Sequence, residues 1–462
     1  MKRPTHPRAL ALRALEALER REGFADAVLD GFFSRHPELR ARDRALASHL
    51  VYGVLRWRNR LDAHLARAAA RPPERMHPRL LQILRLGAYQ LLFLDRIPPR
   101  AAVGETVELA RQAGQGHATG FVNAVLRRVA ALGPELELPA EPAARLALLF
   151  GCPPWLVERW TLEHGPGGAE AMCRAASRIP PLWLRVNTAR LAREDALETL
   201  LEAGLEAGPG AYAPEALWVA GAGDPRTLPL VADGKAVVQD QASQLVAHLV
   251  APDPGARVLD ACAAPGLKAT HLAALAGPGG NVTALDVHPH RVRQVEELAR
   301  RLGCHGVRAQ VADARTFRPL DDGPFDAVLA DAPCSGLGVL ARNPEAKWRR
   351  TPESLGELPP LQRALLENLA DAVRPGGVLV YATCTTLRAE NEDVVEAFLA
   401  RRPDFELEPP AARAPLAGGA VSWEGLLTPG GCLRTYPDPQ GGEGAAAVDG
   451  FFAARLRRSG AP

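Results

Sequence analysis

The chain has 462 residues, 47% of them hydrophobic and 23% charged, which is typical of globular proteins and too long for one ordinary core. No apolar run is long enough to span a membrane, and the first ten residues lack the apolar segment of a signal peptide. Seven scattered cysteines with no C-x-x-C pair argue against a disulfide framework or a metal site and for a reducing compartment. We therefore expect a cytoplasmic, monomeric protein of two or three domains, with neither a membrane nor a metal as partner.

The net charge of +2 hides an uneven distribution along the chain. Residues 1–145 carry 24 Lys and Arg against 15 Asp and Glu, a net charge of +9, so the remainder carries −7. A basic segment joined to a mildly acidic one is typical of a protein whose first part binds a polyanion. The alternative is that arginine covers solvated helix faces, since only four of the 55 basic residues are lysine. Charge alone leaves both interpretations open.

Residues 1–140 predict an all-helical domain. Apolar residues recur there at three- and four-residue intervals with charges between them, and short Pro and Gly breaks separate the segments, as in a helical bundle. The Pro- and Glu-containing stretch Leu132–Ala144 predicts a linker. Residues 145–233 predict linker helices and a small α/β domain, because "PLWLRVNTA" and "ALWVAG" have strand patterns around a helical segment that ends at Gly204.

Residues 234–462 alternate apolar strands with amphipathic helices. Near-continuous apolar strands between helices indicate a parallel sheet covered on both faces, a Rossmann-like α/β core. In such sheets ligands bind outside the carboxyl ends of the strands. The polar and thiol side chains at those predicted ends are Asp260, Asp286, Asp313, Asp331, Cys334 and Cys384.

The first strand of this core leads into "DACAAPGLKAT", a glycine-containing turn whose backbone N–H groups can approach a ligand. The turn lacks G-x-G-x-x-G, which counts against a dinucleotide and hence against an NAD-dependent dehydrogenase. Asp286 ends the next strand and suits the hydroxyls of a ribose, and Asp313 suits an adenine amino group. This set without a diphosphate site fits S-adenosylmethionine. The alternative is that each Asp caps the helix that follows it.

Cys334 and Cys384 follow strands that are neighbours in an ordinary doubly wound order, so both would face one pocket. A lone buried cysteine is usually inert, whereas two beside an aspartate and a methyl donor have a chemical use. A thiolate that adds to carbon 6 of cytosine turns the ring into an enamine, and carbon 5 then attacks the methyl sulfonium. A carboxyl group manages the proton at N3. The pattern therefore predicts one cysteine as nucleophile, one cysteine for product release and one aspartate at N3.

Five stretches resemble the successive motifs of the RNA cytosine-5 methyltransferases, and the basic helical region is similar to the NusB-like RNA-binding domain. This fusion is typical of the 16S ribosomal RNA enzymes of the RsmB type. The resemblance implies a multidomain fold with an N-terminal all-α NusB-like bundle (1–140), linker helices and a small α/β domain (145–233), and a Rossmann-like class I methyltransferase core (234–462). The five stretches are "DACAAPGLKATHLA", "ALDVHPHR", "VADART", "DAPCSGLGVLARNPEAKWRR" and "YATCTTLRAENEDVV".

The resemblance also implies roles for individual residues. It makes Cys384 the nucleophile, lets Cys334 assist release and places Asp331 at the cytosine edge. Residues implied to hold S-adenosylmethionine are Cys262, Ala263, Ala264, Pro265, Gly266, Leu267, Lys268, Asp286, Asp313 and Asp331. Residues implied to contact RNA are Arg185, Asn187, Lys347, Trp348 and Arg349, with packing as the alternative for Trp348.

One position departs from the family pattern: Leu267 stands where the family has glycine. We expect Leu267 at the start of the following helix, where leucine is favourable. The reaction predicted for the chain is methyl transfer to cytosine carbon 5 in 16S ribosomal RNA, on an unstacked or looped base. The alternatives are the same chemistry on transfer RNA and a non-catalytic RNA-binding assembly factor. The two cysteines count against the assembly factor, because binding alone needs neither thiol.

Overall fold

The computed structural model describes residues 6–20, 23–319, 323–410, 421, 423, 425–437 and 447–460. The chain forms two compact units, one of Met1–Ile179 with Leu340–Arg349 and the other of Pro180–Val339 with Arg350–Pro462. Within the described residues, no helix combines the length and the hydropathy that a membrane crossing requires. The predicted limits of the three domains, 1–140, 145–233 and 234–462, stay a prediction.

The first unit is helical, as the three- and four-residue spacing of apolar residues predicts. Leu15 and Leu18 on one helix and Leu50 and Val54 on another are buried in a single apolar core. Its first eight helices among the described residues are α1 (Pro7–Glu19), α2 (Ala25–Arg35), α3 (Ala41–Ala69), α4 (Pro78–Phe93), α5 (Pro99–Gln112), α6 (Thr119–Leu132), α7 (Pro142–Leu149) and α8 (Pro154–Ser177).

The predicted linker Leu132–Ala144 is shorter than expected at its C-terminal end, because α7 begins at Pro142. The Glu141 side chain accepts hydrogen bonds from the backbone N–H groups of Ala143 and Ala144. A proline in the first helical position and a capping carboxylate before it are the ordinary start signals of a helix. The proline and glutamate that suggested a linker therefore open a helix.

The second unit begins with a small antiparallel sheet in the order β2-β3-β1-β4. The strands β1 and β3 and the helix α9 confirm the predicted α/β pattern. The strands β2 and β4 were not predicted, since they are only four and three residues long. The elements are β1 (Leu182–Val186), α9 (Arg193–Glu202), β2 (Glu206–Pro209), β3 (Ala216–Ala220), α10 (Pro229–Ala232) and β4 (Ala236–Val238).

The core sheet has eight strands within the described residues, in the order β10-β12-β9-β8-β5-β6-β7 with β11 beside β12. The five strands β7, β6, β5, β8 and β9 are parallel to one another. The strands β12 and β10 add an antiparallel edge that the sequence did not predict. The elements are α11 (Gln241–Val250), β5 (Arg257–Asp260), α12 (Leu267–Ala276), β6 (Asn281–Asp286), α13 (Pro289–Leu302), β7 (Val307–Val311), β8 (Phe325–Asp331), α14 (Ala346–Arg349, in the first unit), α15 (Pro352–Leu355), α16 (Leu358–Ala370), β9 (Val373–Thr383), α17 (Glu392–Arg401), β10 (Phe405–Leu407), β11 (Leu433–Arg434) and β12 (Phe452–Arg458).

Both faces of the core sheet are covered by apolar side chains. Successive residues of a strand point to opposite faces, and they enter two different clusters: Val258 packs in one and Leu259 in the other. The same division holds for Leu329 and Val328 on β8. This double burial explains why the strands are continuously apolar in sequence and confirms the predicted α/β core.

Candidate active site

The two cysteines predicted to share a pocket lie side by side. β8 and β9 are parallel neighbours with Asp331 opposite Ala382, so the turns that follow them emerge at the same edge of the sheet. The Sγ atoms of Cys334 and Cys384 are 3.3 Å apart. Gly338 N–H donates to the Cys384 carbonyl at 3.0 Å, and a Cβ on Gly338 would lie 2.9 Å from that same oxygen. A glycine is therefore required for the cysteine turn to come this close.

The two thiols are not equivalent. The pKa of Cys334 is raised well above its usual value, first by its hydrogen bond to Cys384, then by burial, and further by the charges of Cys384 and Glu390. Cys334 is thus held as a neutral thiol in contact with the Cys384 sulfur. A cysteine attacks as a thiolate, so the thiol that is held neutral is the less suited of the two to be the nucleophile.

Lys268 and Asp331 form an ion pair beside these sulfurs. The Lys268 Nζ lies 2.7 Å from Asp331 Oδ2 and 5.2 Å from the centre of the Phe451 ring. Burial acts to lower the pKa of Lys268, but Asp331, with smaller contributions from Cys384 and Asp260, raises it above its usual value. The site therefore contains a persistent positive charge. From the sequence, Lys268 was assigned only to the cofactor turn. Its contact with Asp331, which lies 63 residues away, was not predicted.

The predicted cofactor turn, Cys262–Lys268, connects β5 to α12. Gly266 precedes the helix with a φ of +104°, and a Cβ there would meet the Val295 Cα at 3.1 Å, so only glycine fits. Leu267 is the first residue of α12, as expected. The side chain of Asp260 is fully buried at the end of β5, and burial together with Asp331 raises its pKa to about 7.

Two aspartates follow the next two strands of this edge. Asp286 is 8% exposed, and its Oδ1 accepts from the His288 N–H just before α13. Asp313 is paired with the Arg315 guanidinium, which holds the pKa of that carboxyl below its usual value. Both aspartates thus accept a backbone N–H two residues later, but neither caps a helix, because the N-cap of α13 is His288 and the described residues after Asp313 form only a turn. Apolar Val287 and Val311 lie next to these positions and are about half exposed.

Two residues predicted to contact RNA, Arg185 and Asn187, are buried in the second unit. Arg185 donates to Gln239 Oε1 and the Leu267 carbonyl, both at 2.6 Å, and to Thr270 Oγ1 at 3.0 Å. Asn187 Nδ2 donates to the carbonyls of Gly234 and Leu302. These bonds attach the small sheet to the start of α12 and the end of α13. The observed contacts are structural, and an RNA contact of Arg185 and Asn187 stays a prediction.

The other three predicted RNA contacts, Lys347, Trp348 and Arg349, lie on α14, in the helical unit. Lys347 is fully buried and its Nζ donates to the Arg56 carbonyl at 2.8 Å. Trp348 Nε1 donates to the Leu55 carbonyl at 2.6 Å, and Arg349 donates to the Gly23 carbonyl. These contacts favour the packing alternative for Trp348. Contact with RNA remains a prediction for all three residues.

A second polar cluster, missed by the sequence analysis, lies between β3, α11 and α12. Glu215 Oε2 and His248 Nε2 are 2.9 Å apart, and His271 Nε2 lies 3.6 Å from Glu215 Oε1. These side chains are the type that binds a divalent cation, but the short Glu–His hydrogen bond and the neighbouring Arg185 charge favour a hydrogen-bonded network. Burial, followed by Arg185, lowers the pKa of His271 to about 3. Burial acts to raise the pKa of Glu215, but its interactions with His248 and His271 outweigh burial and lower it.

We expect this cluster to make the protein acid-sensitive. Below pH 6.5 the unfolded chain protonates His271 whereas the folded chain does not, so stability falls as the pH drops toward 3. Glu215, with its lowered pKa, adds a loss in the same direction at lower pH. For His271 alone the free energy of unfolding at pH 5 should be ~2 kcal/mol below that at pH 7. Urea unfolding at the two pH values measures this difference.

His271→Gln should flatten this pH dependence, because its side chain does not titrate. Exposed His305 offers a matched control, and His305→Gln should keep the wild-type pH dependence. Full acid sensitivity in His271→Gln would exclude His271 as its source.

Comparison with known proteins gave matches along the chain. Three family models match in order: the NusB family at residues 5–131, the RsmF/B-like ferredoxin-like domain at 152–225 and the 16S rRNA methyltransferase RsmB/F at 247–457. The chain is 37% identical over 404 residues to the probable ribosomal RNA small subunit methyltransferase B of Bacillus subtilis, covering 87% of this chain and 90% of the relative. It is 43% identical over 417 residues to methyltransferase B of Xylella fastidiosa, covering 90% of both.

Solved structures give similar matches. The crystal structure of PH0851 covers 99% of this chain and 100% of its own, with a TM-score of 0.80 and 27% identity. A methyltransferase homolog protein from Pyrococcus horikoshii covers 69% of this chain and 100% of its own, with a TM-score of 0.57 and 27% identity. Over 69% of its length the fold of the chain is therefore similar to that of a methyltransferase homolog.

Proposed function

The chain belongs to the RsmB/F family of 16S rRNA methyltransferases, and from this premise we propose that it transfers a methyl group from S-adenosylmethionine to carbon 5 of a cytosine in 16S ribosomal RNA. Transfer to carbon 5 is inferred from the two sulfurs of Cys334 and Cys384, which are 3.3 Å apart. They lie beside the ion pair of Asp331 and Lys268. A protein that only bound RNA would need neither thiol. The NusB match and the relatives named for the small ribosomal subunit support ribosomal over transfer RNA.

The residues at the edge of the sheet fit S-adenosylmethionine. The turn Cys262–Lys268 follows β5 at this edge, and Asp286 at the end of β6 offers carboxylate oxygens to the ribose hydroxyls. Half-exposed Val287 and Val311 provide an apolar surface for a planar adenine next to Asp313. When bound, the cofactor supplies an electrophilic methyl group on a sulfonium. Asp313 must loosen its pairing with Arg315 to accept an adenine N–H.

The first step activates the base. The Cys384 thiolate forms a bond to carbon 6, and the carbon 5–carbon 6 electron pair makes carbon 5 nucleophilic. The ring acquires negative charge as this bond forms, and the Lys268 ammonium is positioned to stabilise it. Asp331, whose Oδ2 lies 2.7 Å from this ammonium, is the carboxyl group that holds the proton at N3 and takes it back when the product leaves.

The second step releases the product. After methyl transfer, a base must remove the proton at carbon 5, so that the electron pair re-forms the double bond and expels Cys384 as thiolate. Cys334 is the group placed to do this. Once the Cys384 sulfur is bonded to carbon 6, it no longer accepts the hydrogen bond that is the largest cause of the raised Cys334 pKa. Cys334 can therefore ionise only after the covalent intermediate has formed: its thiol proton passes to solvent, and the resulting thiolate removes the proton from carbon 5.

The function is tested by locating the transferred methyl group. Purified protein is incubated with methyl-labelled S-adenosylmethionine and either protein-free 16S RNA, small ribosomal subunits or transfer RNA, and the RNA is digested to nucleosides. We expect labelled 5-methylcytidine from a 16S substrate and none from transfer RNA. Label in another nucleoside would contradict the proposed position, and the absence of label with every RNA would favour the assembly-factor alternative.

A further inference from the structure

Glu390 lies behind the cysteine turn and takes no part in the steps above. It sits in the short turn between β9 and α17 and is 1% exposed. Its Oε2 accepts hydrogen bonds from the backbone N–H of Ser335 at 2.9 Å and from Gln362 Nε2 at 3.0 Å. Ser335 is the residue after Cys334, so this carboxylate holds the turn that carries the release thiol.

The charge of Glu390 is not explained by these hydrogen bonds. Within the described residues its other oxygen, Oε1, is buried without a hydrogen-bond partner. Burying a carboxylate with an unpaired oxygen is unfavourable, and a glutamine would accept the same two hydrogen bonds without a charge. A buried charge that the local structure does not require points to an electrostatic role.

The charged and titratable groups around the thiol pair are unevenly distributed. Lys268, paired with Asp331, interacts electrostatically with Cys384, and Glu390 interacts with Cys334. The Tyr381 hydroxyl donates to the Glu390 carbonyl at 2.6 Å. On the other side of the turn, the Arg350 guanidinium donates to the carbonyls of Cys334 and Ser335 at 2.9 and 3.0 Å. Lys268 thus interacts with Cys384, whereas Cys334 has the Glu390 carboxylate on one side of its turn and the Arg350 guanidinium on the other.

We propose that Glu390 is a positioning residue that decides which of the two thiols ionises. It fixes the turn through Ser335, and its buried carboxylate disfavours a thiolate at Cys334, so the negative charge of the pair is confined to Cys384. This inference rests on the proposed function, in which one cysteine is the nucleophile and the other assists release. It explains why these two neighbouring cysteines do not exchange roles. Electrostatic interaction with Glu390 is among the causes that raise the Cys334 pKa.

The test measures the ionisation of Cys334 directly. In a Cys384→Ser background, which leaves Cys334 as the one thiol of the pair, the rate of Cys334 alkylation by iodoacetamide is followed against pH by peptide mass spectrometry. Glu390→Gln is then added to this background. It keeps a side-chain oxygen that can accept from the Ser335 N–H and removes the negative charge of the carboxylate. We expect the midpoint of the Cys334 profile to fall by about one pH unit, which is a roughly tenfold faster reaction at a fixed pH below the midpoint. Cys304, elsewhere in the same unit, serves as an internal reference with an unchanged profile.

Ser335→Ala is the matched control for a purely structural role. It removes the 2.7 Å hydrogen bond from Ser335 Oγ to Thr385 Oγ1 and alters no charge, so the Cys334 midpoint should stay in place. An unchanged midpoint in Glu390→Gln, or an equal shift in Ser335→Ala, would overturn the proposal.

If Glu390→Gln does not fold, Gln362→Lys provides the second variant. It places an ammonium against the same carboxylate and should lower the Cys334 midpoint in the same direction, and an unchanged midpoint would again overturn the proposal. The assay uses neither RNA nor cofactor. A failure of the proposed methyl transfer therefore cannot be mistaken for a failure of this inference.

Discussion

Replacing Cys384 by alanine should reduce methyl transfer to 16S RNA by about 10⁴-fold or more, the scale of losses that follow removal of a catalytic nucleophile. Without a sulfur to add to carbon 6, carbon 5 remains too weakly nucleophilic to attack the methyl group. Asp331, Lys268 and the cofactor turn are unchanged in this variant, so cofactor binding should survive. The measurement is transfer of label from S-adenosylmethionine to RNA, with thermal stabilisation by the cofactor as the test of binding.

Cys304→Ala is a suitable control for Cys384→Ala, because Cys304 is a free, partly buried cysteine of the same unit that follows α13, away from both strand ends. It should retain wild-type transfer. Methylation at the wild-type rate by Cys384→Ala would refute the assignment of the nucleophile and leave Cys334 as the remaining thiol at the site.

Replacing Cys334 by alanine should have a different effect: a covalent protein–RNA adduct should accumulate. Cys384 can still add to carbon 6 and the methyl group can still be transferred, but the proton at carbon 5 has no base to remove it. The intermediate then persists and turnover falls steeply. Denaturing gels of the variant incubated with 16S RNA and labelled S-adenosylmethionine should show a slowly migrating band that wild type does not accumulate.

The double variant Cys334→Ala/Cys384→Ala separates this adduct from non-specific association. It should give no slowly migrating band, because the sulfur that forms the bond is absent. If Cys334→Ala methylated RNA at the wild-type rate without an adduct, Cys334 would have no role in release and another base would be required.

The neighbouring positions of Cys334 and Cys384 were predictable from the sequence, because continuously apolar strands between helices specify a parallel sheet. In that sheet consecutive motifs at strand ends meet at one edge. The contacts made across the turns were not predictable. Lys268 reaches Asp331 over 63 residues, and Glu390 reaches Ser335 over 55 residues. Neither pair has a periodicity or a spacing that reveals it, since each depends on how two turns fold toward each other.

Motif resemblance also fails to separate contact with RNA from contact within the protein. Arg185 and Lys347 belong to recognisable motifs, but both side chains are buried and donate to protein acceptors. Arginine and lysine donate equally well to a phosphate and to a backbone carbonyl, so the residue type alone cannot distinguish them. Similarly, the segment Leu340–Arg349 belongs to the helical unit although it follows the cysteine turn in the chain. A continuous sequence pattern does not reveal such a discontinuous unit.

The central claim of the proposed mechanism is that the sulfur of Cys384 bonds to the cytosine base. The most direct measurement is therefore peptide mass spectrometry of the adduct formed by Cys334→Ala with 16S RNA and S-adenosylmethionine, after digestion with nuclease and protease. We expect a methylated cytidine nucleotide attached to the peptide that contains Cys384. A nucleotide attached to any other residue, or 5-methylcytidine formed at the normal rate with no attached peptide, would contradict it.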